Sequence, residues 1–136
     1  MFEKVKFEKL EYLTLKNNNI SNIDVLENVN FKELRELGLH ANKISEINVL
    51  EKVNFEKLEA INLSDNNISK IDKLENVNFK ELRRLFLFLN GISDIKVFEK
   101  VKFEKLEELD LGINNISNID ILENVNFKEL RKLYLL

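Results

Sequence analysis

The chain repeats one pattern of apolar and polar positions from one end to the other. Residues 10–20 read L-x-x-L-x-L-x-x-N-x-I, with leucine or isoleucine at the apolar positions and an asparagine between the last two. The pattern starts again every 24 residues, at Leu34, Leu58, Leu82 and Leu106, and a sixth copy opens at Leu130. A fixed period of this length predicts a stack of similar units, each stabilised by its neighbours, and not a fold around one central core.

The repeats divide the 136 residues without leaving any segment over. A partial repeat (1–6) is followed by five full repeats (7–30, 31–54, 55–78, 79–102 and 103–126) and a second partial repeat (127–136). There is no proline and there are only three glycines, so the composition marks no linker. We therefore predict a single domain, 1–136.

Each repeat contains a short stretch such as Leu13-Thr14-Leu15, in which apolar and polar residues alternate. This period is typical of a strand with one buried face. One strand per repeat, connected in the same sense each time, predicts a parallel sheet of about six strands. The remaining residues, for example 23–31, are too few for a long helix and predict a short 3₁₀, α-helical or irregular return segment. The predicted fold class is an α/β solenoid.

Two residue types recur once per repeat at positions that we expect to stabilise the stack. An asparagine side chain both donates and accepts hydrogen bonds, so a column of asparagines can bridge the backbone of successive repeats. A phenylalanine column is expected to form a stacked spine inside the solenoid. The asparagines are Asn18, Asn42, Asn66, Asn90 and Asn114, and the phenylalanines are Phe7, Phe31, Phe55, Phe79, Phe103 and Phe127.

Charged positions alternate in sign between successive repeats, so that the full period is 48 residues. Because neighbouring strands lie about 5 Å apart, alternation converts repulsion within a column into attraction. Each exposed pair is worth less than about 1 kcal/mol, so we expect the columns to act mainly on register. One such column is Glu11, Arg35, Glu59, Arg83, Glu107 and Arg131, and another is Lys9, Glu33, Lys57, Glu81, Lys105 and Glu129.

The repeated stretch Leu10–Ile20 resembles the leucine-rich repeat family, and the resemblance covers the whole chain. The Ile-Ser-x-Ile step after the asparagine is similar to the short repeats of internalins and of phosphatase-regulatory leucine-rich proteins. The resemblance implies a right-handed superhelix with the sheet on its concave face and the return segments on its convex face. It also implies a solenoid that binds other molecules, usually proteins, on the concave face.

Composition removes several classes of function. The chain has no cysteine and one histidine, His40, so neither a cysteine site nor a histidine pair can hold a metal, and no catalytic constellation is present. We predict no enzyme activity and no cofactor. A net charge of −3 gives no overall attraction to nucleic acid or to an acidic membrane. Without a signal peptide or an apolar run long enough for a membrane span, a cytoplasmic location is expected.

The positions that differ between repeats suggest where a partner binds. By strand alternation they face outward, and their apolar residues concentrate towards the C-terminal end. Contiguous exposed apolar surface usually marks an interaction site, and aromatic residues with arginine are typical interface anchors. The alternative is drift at strand positions that favour aromatic residues. The predicted partner-binding residues are Phe86, Phe88, Leu89, Ile113, Tyr134 and Leu136, flanked by Arg84 and Asp110.

The last repeat predicts self-association. Its core residues have no further repeat of this chain stacked on them, and an open strand edge is a template for pairing. We therefore expect a homodimer through Phe127, Leu130, Leu133 and Leu135. The alternative function is accordingly a self-assembling structural repeat module, engineered or an excised fragment. The blocks 27–34, 75–82 and 123–130 are identical, which is typical of recent duplication or of deliberate consensus building.

Overall fold

The computed structural model describes residues 6–135; residues 1–5, with most of the first partial repeat, and Leu136, a predicted partner-binding residue, lie outside it. Within the described residues, six short strands form one parallel sheet in which the spatial order follows the sequence. The strands are β1 (Tyr12–Thr14), β2 (Glu36–Gly38), β3 (Ala60–Asn62), β4 (Arg84–Phe86), β5 (Glu108–Asp110) and β6 (Lys132–Tyr134). We call each strand with its loop and return segment a rung, numbered by its strand.

The strands pair in the register that the 24-residue repeat requires. Leu13 lies opposite Leu37, and every later pair follows the same offset. Each strand begins one residue earlier than the predicted stretch, because the ladder already starts at the Glu11 carbonyl, which accepts a hydrogen bond from the Glu36 amide at 3.1 Å. The parallel sheet is confirmed, with this shift of one residue.

The return segments are 3₁₀ helices of four or five residues within the described part of the chain. They span Asp24–Asn28, Asn48–Glu51, Asp72–Asn76, Lys96–Glu99 and Asp120–Asn124. In rungs 1, 4 and 5 an Asn or Asp side chain turns the chain into the helix by accepting a hydrogen bond from the amide two residues on, as Asn22 does from Asp24 at 2.8 Å. The prediction of short helical returns is confirmed.

The core lies between the sheet and the return segments. The strand leucines and the isoleucine after each asparagine are almost fully buried in the middle rungs, for example Leu39 and Ile44 at 0% exposure. Phenylalanine rings stack from Phe7 through Phe31 and Phe55 to Phe79, with centroids 6.4–6.5 Å apart.

The phenylalanine spine changes at its C-terminal end. Phe98 stands where the other return segments have leucine, and its ring meets the edge of Phe127 at a centroid distance of 6.0 Å. Among the described residues, stacked pairs are recorded only as far as Phe79. Stacking is therefore found for the first four members, of which Phe7 is 51% exposed while Phe31, Phe55 and Phe79 lie inside the solenoid.

The asparagine column joins each rung to the one before it. The Asn66 Nδ2 group donates to the carbonyl of Leu63 in its own rung at 3.0 Å and to that of Leu39 in the preceding rung at 3.1 Å. The Asn66 Oδ1 atom accepts a hydrogen bond from the Ile44 amide at 2.9 Å. Asn42, Asn90 and Asn114 make the equivalent contacts. These bonds satisfy backbone groups that would otherwise be buried without partners.

Ion pairs connect rungs on the flank of the sheet. Lys57 lies 2.6 Å from Glu33, and Lys105 lies at the same distance from Glu81. Arg35 pairs with both of its neighbours in its column, and Arg83 pairs with Glu107. Two pairs on the side of the return segments, Lys52–Glu27 and Lys100–Glu75, were not predicted because their partners are 25 residues apart and not 24.

Candidate functional site

The outward face of the sheet consists of three columns of side chains. The first and third residues of each strand flank an inward leucine or isoleucine and therefore point away from the core. The third column lies two residues after the strand. The predicted partner-binding residues lie in the second and third columns and in the loop just after the third. Arg84 is the only one from the first column, although the same alternation predicts that column. The first column is Tyr12, Glu36, Ala60, Arg84, Glu108 and Lys132.

The larger apolar residues of this face lie mainly on the C-terminal rungs; the exception is Tyr12 on rung 1, which is 62% exposed. Phe86 and Phe88 alternate with the buried Leu85 and Leu87 and are themselves half-buried. Phe86 lies opposite Asp110 in the sheet register, and Asp110 lies opposite Tyr134. Tyr134 is 47% exposed. We call Phe86, Phe88, Leu89, Ile113 and Tyr134 the apolar patch.

The loop after each of the strands β1 to β5 contains one residue in the left-handed region. The φ angles are 56° at Asn17, 55° at Ala41, 53° at Asp65, 53° at Leu89 and 48° at Ile113. In rungs 1 to 4 the amide of this residue bonds across to the next rung, as Leu89 does to the Gly112 carbonyl at 2.9 Å, and this bond favours the left-handed conformation. Asn and Asp tolerate this region, whereas a β-branched or bulky residue there is an outlier.

Burial of the side chain does little to offset the unfavourable backbone conformation at Leu89 and Ile113. Leu89 is 40% exposed and Ile113 is 54% exposed, so neither side chain is compensated by full burial. Backbone strain of this kind costs on the order of 1–3 kcal/mol and is typical of functional sites. The two residues are thus apolar, strained and accessible at once.

A hollow of about 230 Å³ lies at the C-terminal side of the apolar patch. Its walls are formed by Phe88, Asp110, Gly112, Leu133, Tyr134 and Leu135. Gly112 stands in the third column, where the earlier rungs have Lys16, His40, Ser64 and Phe88. The missing side chain at Gly112 opens the space beside Phe88.

The charged residues that flank the apolar patch differ in their pairing. The Arg84 guanidinium donates to Glu36 at 2.8 Å, reaching past the small side chain of Ala60, which lies between them in the register. Lys132 lies 3.5 Å from Glu108. Asp110 accepts a hydrogen bond from the Gly112 amide at 2.9 Å but forms no ion pair within residues 6–135. Asp110 is therefore the unneutralised charge at the centre of this surface.

The residues predicted to mediate self-association are only partly accessible. Leu133 is 38% exposed, whereas its equivalents Leu37 and Leu109 are 1% exposed. Phe127, Leu130 and Leu135 are half-buried and pack against the core. Nothing in the structure tests whether a second copy covers them, and this role stays a prediction, as does the partner-binding role of the apolar patch.

Residues 6–135 contain neither a metal-binding cluster nor a membrane-spanning helix. Across this part of the chain there is no group of three or more His, Asp or Glu residues that could hold a metal ion. No helix in the described residues is long and apolar enough to cross a membrane. His40 is half-buried in the third column, and its Nδ1 atom has no hydrogen-bond partner among the residues described.

The comparisons with known proteins agree with this geometry. The family described as "Leucine Rich repeats (2 copies)" matches residues 8–52. A comparison with curated proteins found no match. Among solved structures, internalin C2 from Listeria monocytogenes is 25% identical with a TM-score of 0.76, over 98% of this chain and 53% of the internalin.

Two further solved structures are similar. An internalin (inlF) from the same species is 22% identical with a TM-score of 0.66, over 90% of this chain and 40% of that chain. A leucine-rich repeat protein from Leptospira interrogans is 26% identical with a TM-score of 0.67, over 88% of this chain and 31% of that chain. The present chain thus spans about half or less of the length of each of the three.

Proposed function

From the premise that this chain is a leucine-rich repeat protein with internalin-like repeats, we propose that it binds a protein partner through the apolar patch on rungs 4 to 6. Leucine-rich repeat proteins generally mediate protein–protein interactions and are typically not enzymes. The proposal adds the place: the outward face of the sheet at Phe86, Phe88, Leu89, Ile113 and Tyr134.

The observation that carries the proposal is the exposure of Leu89 and Ile113 at positive φ. The same backbone position is occupied by Asn17, Ala41 and Asp65 in the first three rungs, so the fold does not require a large apolar residue there. A partner that buries the two side chains would offset the strain. Drift at a position that favours β-structure does not account for them, because this position is not extended.

The test exchanges side chains between rungs on an unchanged backbone. Phe86→Asn, Phe88→Ser and Leu89→Asp give rung 4 the residues of rung 3, which are Asn62, Ser64 and Asp65. The matched control, Thr14→Asn, Lys16→Ser and Asn17→Asp, introduces the same three residues into rung 1. Circular dichroism should show that both variants keep the fold.

Proteins captured from extracts on the immobilised chain are then titrated against all three forms by calorimetry. Because interface anchors are each worth about 2 kcal/mol or more, we expect the rung-4 variant to lose at least about 100-fold in affinity. The rung-1 variant should bind like the unmodified chain. Equal binding by the rung-4 variant, or an equal loss in both variants, would place the contact elsewhere.

Self-association through the last rung is a second candidate, favoured by the exposure of Leu133. Leu133 is 38% exposed, whereas the equivalent Leu109 of rung 5 is 1% exposed. Light scattering over a range of concentrations should show a rising mass that Leu133→Lys/Leu135→Lys abolishes. The control Asn19→Lys/Asn67→Lys adds the same charge at loop positions where rung 2 already has Lys43. A monomer at every concentration of the unmodified chain would contradict this candidate.

A further inference from the structure

The charge of Asp110 distinguishes the apolar patch from an ordinary hydrophobic surface. The neighbouring cations are occupied within the chain, Arg84 by Glu36 at 2.8 Å and Lys132 by Glu108 at 3.5 Å. Asp110 has no such partner among residues 6–135 and is half-buried. Its register neighbours on either side are aromatic, Phe86 in β4 and Tyr134 in β6.

The fold does not need this charge. The Asp110 Oδ1 atom accepts a hydrogen bond from the Gly112 amide at 2.9 Å, and this bond holds the turn after β5. In rung 3 the neutral side chain of Asn62 makes the same bond to the Ser64 amide at 3.0 Å. An asparagine at position 110 would therefore hold the turn equally well, so the turn does not require the negative charge of Asp110.

The surroundings of the carboxylate define what could use it. Asp110 lines the 230 Å³ hollow together with Phe88, Gly112 and Tyr134. Apolar walls suit the hydrocarbon stem of a long side chain, and the carboxylate and aromatic rings suit a cationic end group. A partner that covered this surface with uncharged groups alone would bury the carboxylate unpaired, which is costly.

We propose that the partner is a protein segment that presents one lysine or arginine side chain to the hollow beside Asp110, with apolar side chains on either side that cover Phe86 and Leu89. This inference rests on the proposed function of the apolar patch and specifies the chemistry of its partner. The basic group pairs with the Asp110 carboxylate, and the flanking apolar groups supply the buried area.

The experiment uses a displayed library of random peptides selected on the immobilised 136-residue chain. Counter-selection on the Phe86→Asn/Phe88→Ser/Leu89→Asp variant keeps only peptides that depend on the apolar patch. We expect the enriched peptides to share a lysine or arginine next to aliphatic or aromatic residues. The Asp110→Asn variant should bind these peptides at least tenfold more weakly, because the ion pair is lost. For the same reason, its affinity should depend less on the salt concentration.

Two controls isolate the pair. Asp65→Asn removes a carboxylate outside the apolar patch and should leave binding unchanged. Replacing the basic residue of the peptide by glutamine should weaken binding to the unmodified chain by the same factor as Asp110→Asn, with no further loss when both changes are combined. The peptide arm does not depend on the folding of any protein variant, and lysine and arginine peptides compared side by side show which cation is preferred.

The outcomes separate this inference from the function on which it rests. Patch-dependent peptides that lack a basic residue, or that ignore Asp110→Asn, overturn the inference and leave the apolar patch as a binding surface. If no enriched peptide depends on the apolar patch, both proposals fail.

Discussion

The two halves of the sheet's outward face have the same backbone and opposite surfaces. In rungs 1 to 3 the left-handed position holds Asn17, Ala41 and Asp65, and in rungs 4 and 5 it holds Leu89 and Ile113, while φ varies only from 48° to 56°. The asparagine ladder runs beneath both halves with the same contacts. The backbone is therefore set by the repeat, and the side chains on this face are free to serve a purpose other than folding.

The largest expected change in stability comes from the asparagine ladder, and it should be the same in both halves. Asn42→Ala, under the polar half, and Asn90→Ala, under the apolar half, each remove a hydrogen bond to a carbonyl of the preceding rung, one to a carbonyl of the same rung and one from an amide of the preceding rung. Because buried groups lose their partners, we expect each to lower the free energy of unfolding by about 1–3 kcal/mol in chemical denaturation.

Asn18→Ala is the matched control for the ladder. The Asn18 side chain bonds only to its own rung within the described residues, at Leu15 and Lys16, and is exposed. It should cost clearly less than either internal variant. We also expect Asn42→Ala and Asn90→Ala to lower the free energy of unfolding by similar amounts. If these two losses differ from each other as much as they differ from the loss in Asn18→Ala, the two halves do not share one scaffold.

The next effect should have opposite signs in the two halves. Leu89→Asn and Ile113→Asn relieve an unfavourable left-handed residue and should raise the free energy of unfolding by about 1 kcal/mol, more at the β-branched Ile113. Asp65→Leu, in the polar half, should lower it by a similar amount. Thermal melts of the three variants measure this. Destabilisation by both asparagine variants would show that Leu89 and Ile113 serve the fold and would weaken the case for a partner.

The smallest effect concerns ion pairs that both halves share. The hydrogen bond from Lys57 holds the pKa of Glu33 below the ordinary value of 4.5, and Lys105 does the same for Glu81. Because the folded pKa is the lower one, each pair contributes stability above pH 4.5 that is lost as the pH falls through the lowered pKa. Both carboxylates are exposed, so the contribution is small.

Carboxyl titration by NMR tests the two ion pairs separately. Lys57→Met should raise the titration midpoint of Glu33 towards 4.5 and leave Glu81 unchanged, and Lys105→Met should do the reverse. If the titration midpoints of Glu33 and Glu81 do not change when the lysine is replaced, these ion pairs do not help to fix the register of the rungs.

Features that follow from translation along the stack were predictable from the sequence. The strand spacing, the parallel sheet, the 3₁₀ returns and the asparagine ladder depend on contacts between one repeat and the next, and both partners of each contact are visible in the repeat itself. The physical reason is that a stack places residue i beside residue i+24. The sequence period therefore predicts which residues are neighbours in adjacent rungs. The position of the apolar patch on the outward face was predictable in the same way, from the alternation of side chains along each strand.

Only the tertiary structure decided the features that depart from this period. Arg84 reaches Glu36 two rungs away because Ala60 leaves the path open, and Phe98 meets Phe127 because its ring is larger than the leucine of other rungs. The left-handed conformation of Leu89 and Ile113 was also hidden, since their residue types argue against it. In each case the outcome depends on how a side chain or a backbone bond of one rung fits a neighbouring rung, and the period of the repeat does not show that fit.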